Sequence, residues 1–141
     1  MDLKIKQVES DKEIQDCFAV MSQLRPHLEA DDFIALVRGQ MQGGYRLAYV
    51  MDKDAVVTVA GYRISRSLSW GKYLYVDDLI TDAARRSSGF GKAMLQWLVE
   101  EARRNQCDQF HLDSGTQRKD AHRFYAREGM DMVAYHYVLT L

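Results

Sequence analysis

From Leu79 to Lys92 the chain reads Leu-Ile-Thr-Asp-Ala-Ala-Arg-Arg-Ser-Ser-Gly-Phe-Gly-Lys. Arg85 and Arg86 stand just before Ser87, Ser88 and a glycine pair, Gly89 and Gly91, which bracket Phe90 and precede Lys92. That combination suits a phosphate. The first turn of a helix carries backbone N–H groups without helical partners and a partial positive charge. Glycine at such a turn lets an anion approach the backbone with no Cβ in the way, and arginine adds a charged fork that fits phosphate oxygens. Two familiar phosphate loops fail here. A Walker A loop needs glycine five residues before its Gly-Lys pair and Ser or Thr after the lysine; Arg86 and Ala93 occupy those places. A dinucleotide fingerprint needs a third glycine where Met94 stands. An isolated Gly-x-Gly would imply only a tight turn. Set after an apolar strand, behind two arginines and before a long amphipathic helix, it points to phosphate.

Other residues with chemical potential are fewer. Asp77 and Asp78 interrupt the run Tyr73-Leu-Tyr-Val ahead of Leu79 and Ile80. Strand side chains alternate, so Tyr75, Asp77 and Leu79 are expected on one face and Asp78 with Ile80 on the other. A buried carboxylate is costly without a partner, so each aspartate needs either a paired cation or a task, and the residues alone leave the two level. His27, His111, His122 and His136 lack metal-ligand spacing, and no metal is expected. No Gly-x-Ser-x-Gly elbow is present for a serine nucleophile. Cys17 and Cys107 lie in helix-like stretches and lack zinc or disulfide spacing, which gives no support for a covalent acyl-enzyme.

These groups need a scaffold, and the patterning supplies one. Leu3 to Val8 alternates imperfectly and reads as a strand. Ser10 and Asp11 can cap a helix carrying Ile14, Cys17, Phe18, Met21 and Leu24 up to Arg25-Pro26. A second helix is expected from Asp31-Asp32 to Gly43-Gly44. Tyr45 to Met51 and Ala55 to Ile64 form a hairpin across Asp52-Lys53-Asp54. Tyr73 to Thr81 is a further strand. From the glycine pair a helix runs with Met94, Leu95, Leu98, Val99 and Ala102 on one side. Phe110 to Asp113 reads as a strand, Lys119 to Glu128 as a helix, and Met132 to Leu141 as a closing strand. The order β-α-α-β-β-β-α-β-α-β implies an α+β, or mixed α/β, domain around one sheet.

With 141 residues, 47% hydrophobic and 28% charged, the chain suits one globular domain over residues 1–141. A net charge of −1 with interleaved signs offers nothing to nucleic acid or anionic membrane. No apolar run reaches the roughly 18 residues of a membrane span, and the N-terminus lacks a signal-like apolar region. A cytoplasmic setting is the expectation.

Arg86-Ser-Ser-Gly89-Phe-Gly91 resembles the Gln/Arg-x-x-Gly-x-Gly/Ala signature of the Gcn5-related N-acetyltransferases. Asp120-Ala-His-Arg-Phe-Tyr125-Ala-Arg-Glu-Gly129 resembles their second signature, a helix with Phe-Tyr that closes on glycine. The element order is similar along nearly the whole chain. The resemblance implies a mixed, mostly antiparallel sheet flanked by about four helices, with acetyl-CoA as co-substrate. Backbone N–H groups from Arg86 to Gly91 would cradle the pyrophosphate, helped by Arg85 and Lys92. Leu79, Ile80 and Thr81 would offer backbone groups to the pantetheine arm, and the Leu79 N–H would stabilise the oxyanion. Tyr125 would act as general acid toward the thiolate, and Asp77 would relay the amine's proton through water. Many relatives have an asparagine that touches CoA where this chain has Arg118. Relatives often shape the acceptor pocket where Leu24–Leu28 lies, so Arg25 is a candidate for a substrate carboxylate and otherwise a solvated arginine. The implied reaction moves acetyl from acetyl-CoA to a primary amine of a small molecule or peptide by direct attack. The alternative is a non-catalytic acyl-CoA-binding regulatory module of the same fold. A second copy could pair along the apolar closing strand as a homodimer.

Overall fold

The structure, a computed structural model, describes residues 3–141. The chain divides into two compact units, Met1–His111 and Leu112–Leu141.

In the first unit, β1 (Leu3–Gln7) is followed by α1 (Asp11–Asp16), α2 (Phe18–Leu24), a 3-10 turn (Ala30–Asp32) and α3 (Phe33–Gln42). Then come β2 (Tyr45–Asp52), β3 (Ala55–Ser67), β4 (Gly71–Thr81), a second 3-10 turn (Ala83–Arg85) and α4 (Phe90–Arg104). β5 (Gln109–Leu112) runs to the boundary with the second unit. The strands form one sheet in the order β1-β2-β3-β4-β5, with β1 through β4 antiparallel. This is the α+β class that the patterning implies.

Local chemistry explains the starts and stops. Ser10 caps α1 through a reciprocal box: its Oγ accepts from the Glu13 N–H at 3.1 Å, and Glu13 Oε1 accepts from the Ser10 N–H at 3.0 Å. The expected single helix is two, because the Cys17 N–H bonds the Ile14 carbonyl three residues back. α2 ends at Arg25, whose φ −121° and ψ 72° leave the helical region ahead of Pro26. On one face of the sheet, Ile14, Val20, Met21, Phe33 and Val37 pack with Tyr45, Leu47, Tyr49, Val59 and Ile80. The opposite face carries Tyr62, which meets Trp97 edge-on and donates to Glu101 on α4. α4 buries Phe90, Met94, Leu95, Leu98 and Ala102.

In the second unit α5 (Lys119–Arg127) ends in a Schellman turn. The Gly129 N–H bonds Ala126 and the Met130 N–H bonds Tyr125, with Gly129 at φ 88°. The closing strand expected over Met132 to Leu141 does not form: residues 130–141 have no regular structure. The large side chains Met132, Val133, Tyr135, Tyr137, Val138, Leu139 and Leu141 are exposed. Alternation supplies strand propensity, but a strand also needs a neighbour's backbone groups.

Candidate active site

The register of β3 with β4 places Gly61 opposite Asp78 and Tyr62 opposite Val76, so Asp77 is an extra residue, a β-bulge. The bulge corrects the facing that simple alternation implies. Tyr75 lies opposite Arg63, Asp78 opposite Gly61 and Ile80 opposite Val59. Tyr75, Asp78 and Ile80 therefore share the face covered by α1–α3, and Asp77 is displaced at the bulge.

Two arginines close on this bulge. Arg25 Nε donates to Asp78 Oδ1 at 3.0 Å, and Arg25 Nη2 donates to the Asp77 carbonyl at 3.0 Å. The Tyr45 hydroxyl donates to Asp78 Oδ2 at 2.8 Å. Arg63 Nε donates to Asp77 Oδ2 at 2.8 Å, and its guanidinium lies over the Tyr45 ring at 5.3 Å. Burial, and then the charge of Asp78, push the Tyr45 phenol above the ordinary tyrosine value, so it remains a donor. Gly61 is what lets the pair meet: a Cβ there would collide with the Tyr45 hydroxyl and come within 2.6 Å of Asp78 Oδ2. The Asp78 side chain is 14% exposed and that of Asp77 is 33% exposed. Of the two, Asp77 is the more accessible to solvent.

Beyond the bulge, Thr81 Oγ1 is 2.9 Å from Thr58 Oγ1, and Ile80 points into the core. β5 begins beside Lys72, where the Asp108 N–H bonds the Lys72 carbonyl, and it has four residues against eleven in β4. Asp78 through Thr81 pair with Gly61 back to Thr58 on β3.

The loop that follows is anchored at its start and exposed at its turn. Gln23 on α2 donates to Asp82 Oδ1 at 3.1 Å and accepts from the Ala83 N–H at 2.9 Å. The bond from Gln23, followed by that from the Ala84 N–H, holds the Asp82 carboxyl below its ordinary range. Arg85 is tied to Asp52 at 3.3 Å, so it braces the loop. Arg86, Ser87, Ser88 and Gly89 are exposed. Ser87 has φ 67° and Gly89 φ 84°, while Arg86 between them and β4 has φ −68°. Arg86 is extended (ψ 157°), so the turn proper is made by the two left-handed residues Ser87 and Gly89 just ahead of the helix. α4's first helical bond runs from the Ala93 N–H to the Gly89 carbonyl, which leaves the N–H groups of the preceding turn outside the helix's own ladder. A Cβ on Gly91 would stand 3.4 Å from Thr81 Oγ1, which places the start of α4 in contact distance of the end of β4. Phe90 is buried beneath it and Lys92 is exposed in the first turn. The residues present fit a pyrophosphate.

In the second unit, Tyr125 is half-buried on α5, its ring 5.3 Å from that of Phe124. Burial raises its phenol above the ordinary value and the Arg118 charge partly offsets this. Tyr125 is therefore protonated at neutral pH and can serve as a donor. Arg118 is exposed at the start of α5. His122 is committed to the Gly115 carbonyl at 2.7 Å. Among the described residues no group of His, Cys, Asp and Glu could hold a metal. Cys17 is buried and its thiol is pushed up to about 12 by that burial, which withholds the thiolate a nucleophile needs.

Sequence reasoning missed the roles of Tyr45, Arg63 and Gln23. Each acts across more than fourteen residues of chain or from another element, and no local motif marks it. Arg25, a carboxylate anchor or a solvated side chain by sequence, is bound to Asp78 and remains 41% exposed.

With this geometry in place, the wider comparisons are informative. The acetyltransferase (GNAT) family model matches residues 12–130, which spans both units. Uncharacterized N-acetyltransferase YhdJ of Bacillus subtilis is 33% identical over 124 residues, covering 87% of each chain. An aminoalkylphosphonate N-acetyltransferase of Salmonella typhimurium is 32% identical over 66 residues, 47% of this chain and 43% of that protein. Among solved structures, AAC(6')-Iy in complex with a bisubstrate analogue, CoA-S-monomethyl-acetylneamine, shares the fold at TM-score 0.86 and 12% identity, covering 100% of this chain and 99% of that one. A Trypanosoma brucei acetyltransferase matches at TM-score 0.82 and 20% identity, over 99% and 100% of the two chains. The chain belongs to the acetyltransferase (GNAT) family. It is accordingly an enzyme, an acetyl-CoA-dependent acyltransferase.

Proposed function

We propose that the protein transfers the acetyl group of acetyl-CoA to a primary amine by direct attack in a ternary complex, as one domain over residues 1–141. The observation that carries this is the exposed turn Arg86–Gly91, with Ser87 and Gly89 left-handed and the first N–H groups of the following helix outside its own ladder. Its backbone N–H groups, with Arg86 and Lys92, hold the pyrophosphate, and Arg85 braces the loop through Asp52. Leu79, Ile80 and Thr81, at the end of β4, present backbone groups to the pantetheine arm. Arg118, exposed and cationic, is a further phosphate contact.

In the reaction the amine nitrogen attacks the thioester carbonyl carbon, the C–S bond breaks and the C–N bond forms. The Leu79 N–H stabilises the oxyanion. Asp77, accessible at the bulge, takes the amine proton through water, and the Tyr125 hydroxyl protonates the departing thiolate. A thiol leaves with a pKa near ~8.5 and an alkylamine enters near ~10, so both proton transfers help at neutral pH. The protonated, buried Cys17 supports attack without an acetyl-enzyme. Two unpaired cysteines suit the reducing cytoplasm.

Tyr125→Phe tests the assignment. Loss of one general acid lowers kcat by about 10²-fold or more, with acetyl-CoA affinity by calorimetry within about twofold of wild type. Unchanged kcat with weakened acetyl-CoA binding would move Tyr125 from acid to packing.

A further inference from the structure

The hydrogen-bond balance at the β4 bulge bears on what accompanies the acceptor amine. Asp78 has both oxygens engaged, one by Arg25 and one by Tyr45, and is largely buried. Asp77 Oδ2 is engaged by Arg63. These carboxylates already have cationic or phenolic partners, so their charge is offset within the cluster.

The donors stand the other way. A guanidinium presents five N–H donors. Arg63 spends its three nitrogens on Asp77, Gln40 Oε1 and the Gly43 carbonyl. Arg25 directs Nε to Asp78 and Nη2 to the Asp77 carbonyl, and its side chain is 41% exposed. Its position is fixed by two bonds to β4, and its Nη1 has no hydrogen-bond partner among the described residues. A guanidinium pinned by a buried carboxylate loses less freedom on meeting an anion than a mobile one does. The four charges of Arg25, Arg63, Asp77 and Asp78 cancel, and Arg25 Nη1 is the guanidinium nitrogen of the cluster left to meet a further anion.

We infer that Arg25 is a specificity residue that anchors an anionic group, carboxylate or phosphonate, on a small zwitterionic amine acceptor. This rests on the acetyltransferase reading of the same site, in which Asp77 beside it takes the amine's proton. The Asp77 carbonyl that Arg25 grips belongs to the bulged residue itself, so the anion anchor and the base are set by one backbone feature.

The test compares matched acceptors in a thiol-release assay with acetyl-CoA: β-alanine and aminoethylphosphonate as the anionic amines, β-alaninamide as the neutral one, and the diamine of similar length as the cationic one. Charge-assisted hydrogen bonds of this kind correspond to a preference of roughly 10- to 100-fold in kcat/KM for an anionic amine over β-alaninamide. The two anionic arms show whether carboxylate or phosphonate is the better fit. Arg25→Gln keeps a donor for Asp78 but removes the charge, and should collapse that preference ratio by about tenfold or more. Arg25→Lys should retain most of it. A ratio also discounts any general loss of fold in the variants. Equal or better use of β-alaninamide or the diamine by wild type, or an unchanged ratio in Arg25→Gln, overturns the inference. Acetyl-CoA binding without thiol release from any of these amines also overturns it, while leaving the cofactor turn standing. Absence of acetyl-CoA binding instead brings down the reading beneath it.

Discussion

Glu13 shows how much one side chain can organise when every oxygen lone pair is used. Its carboxylate accepts from the Tyr49 hydroxyl at 2.6 Å, Lys6 Nζ at 3.0 Å and the backbone N–H groups of Glu9 and Ser10 at 3.0 Å. The Tyr49 bond leads, with Lys6 and the backbone donors behind it, and they hold the Glu13 carboxyl far below its ordinary value of 4.5. A group whose folded pKa is depressed binds fewer protons folded than unfolded, so stability rises with pH across that window. Its contribution is full above about pH 4.5 and is lost as pH falls toward the folded value. Glu13→Gln should therefore cost about 1–3 kcal/mol near pH 7, and the gap from wild type should narrow steadily below about pH 4 in urea unfolding. A gap independent of pH would mean the carboxylate's charge is irrelevant. The cap itself was legible, since Ser10 and Asp11 precede a helical run. Tyr45, Arg63 and Gln23 were not, because side-chain partners from other elements leave no trace in local spacing.

For the elements, the bulge in β4 decides the site. An alternation rule of period two cannot register one extra residue, so it puts Asp77 with Tyr75 and Asp78 opposite; the register places Asp78 on the Tyr75 face and leaves Asp77 as the unpaired bulge residue. Gly61 is the complementary feature on β3, with space for a hydrogen and none for a methyl. Gly61→Ala should destabilise by about 2–4 kcal/mol, from overpacking and displacement of the buried Tyr45–Asp78 pair. The cost should shrink in a Tyr45→Phe background, where the obstructing hydroxyl is absent. A loss under about 0.5 kcal/mol in equilibrium unfolding would contradict this packing account. The glycine turn and the start of α4 were readable because backbone chemistry there needs specific residues at fixed offsets. The closing strand was misread for the opposite reason: Val133, Tyr135 and Tyr137 carry propensity, but pairing depends on a partner that sequence does not specify.

Across the whole molecule, composition and order of elements carried the class, and the family match over residues 12–130 agrees with it. A net charge of −1 leaves no general field to draw in a polyanion. On the proposed function, attraction for acetyl-CoA is local, concentrated in the exposed turn Arg86–Gly91 and the adjoining end of β4. The central claim is met most directly by calorimetric titration of the intact protein with acetyl-CoA, paired with thermal unfolding in the same buffer. Saturable one-to-one binding is expected, with stabilisation of about 2.7 kcal/mol at a hundredfold excess over Kd. No heat of binding and no shift in Tm, from protein shown to be folded, would contradict it.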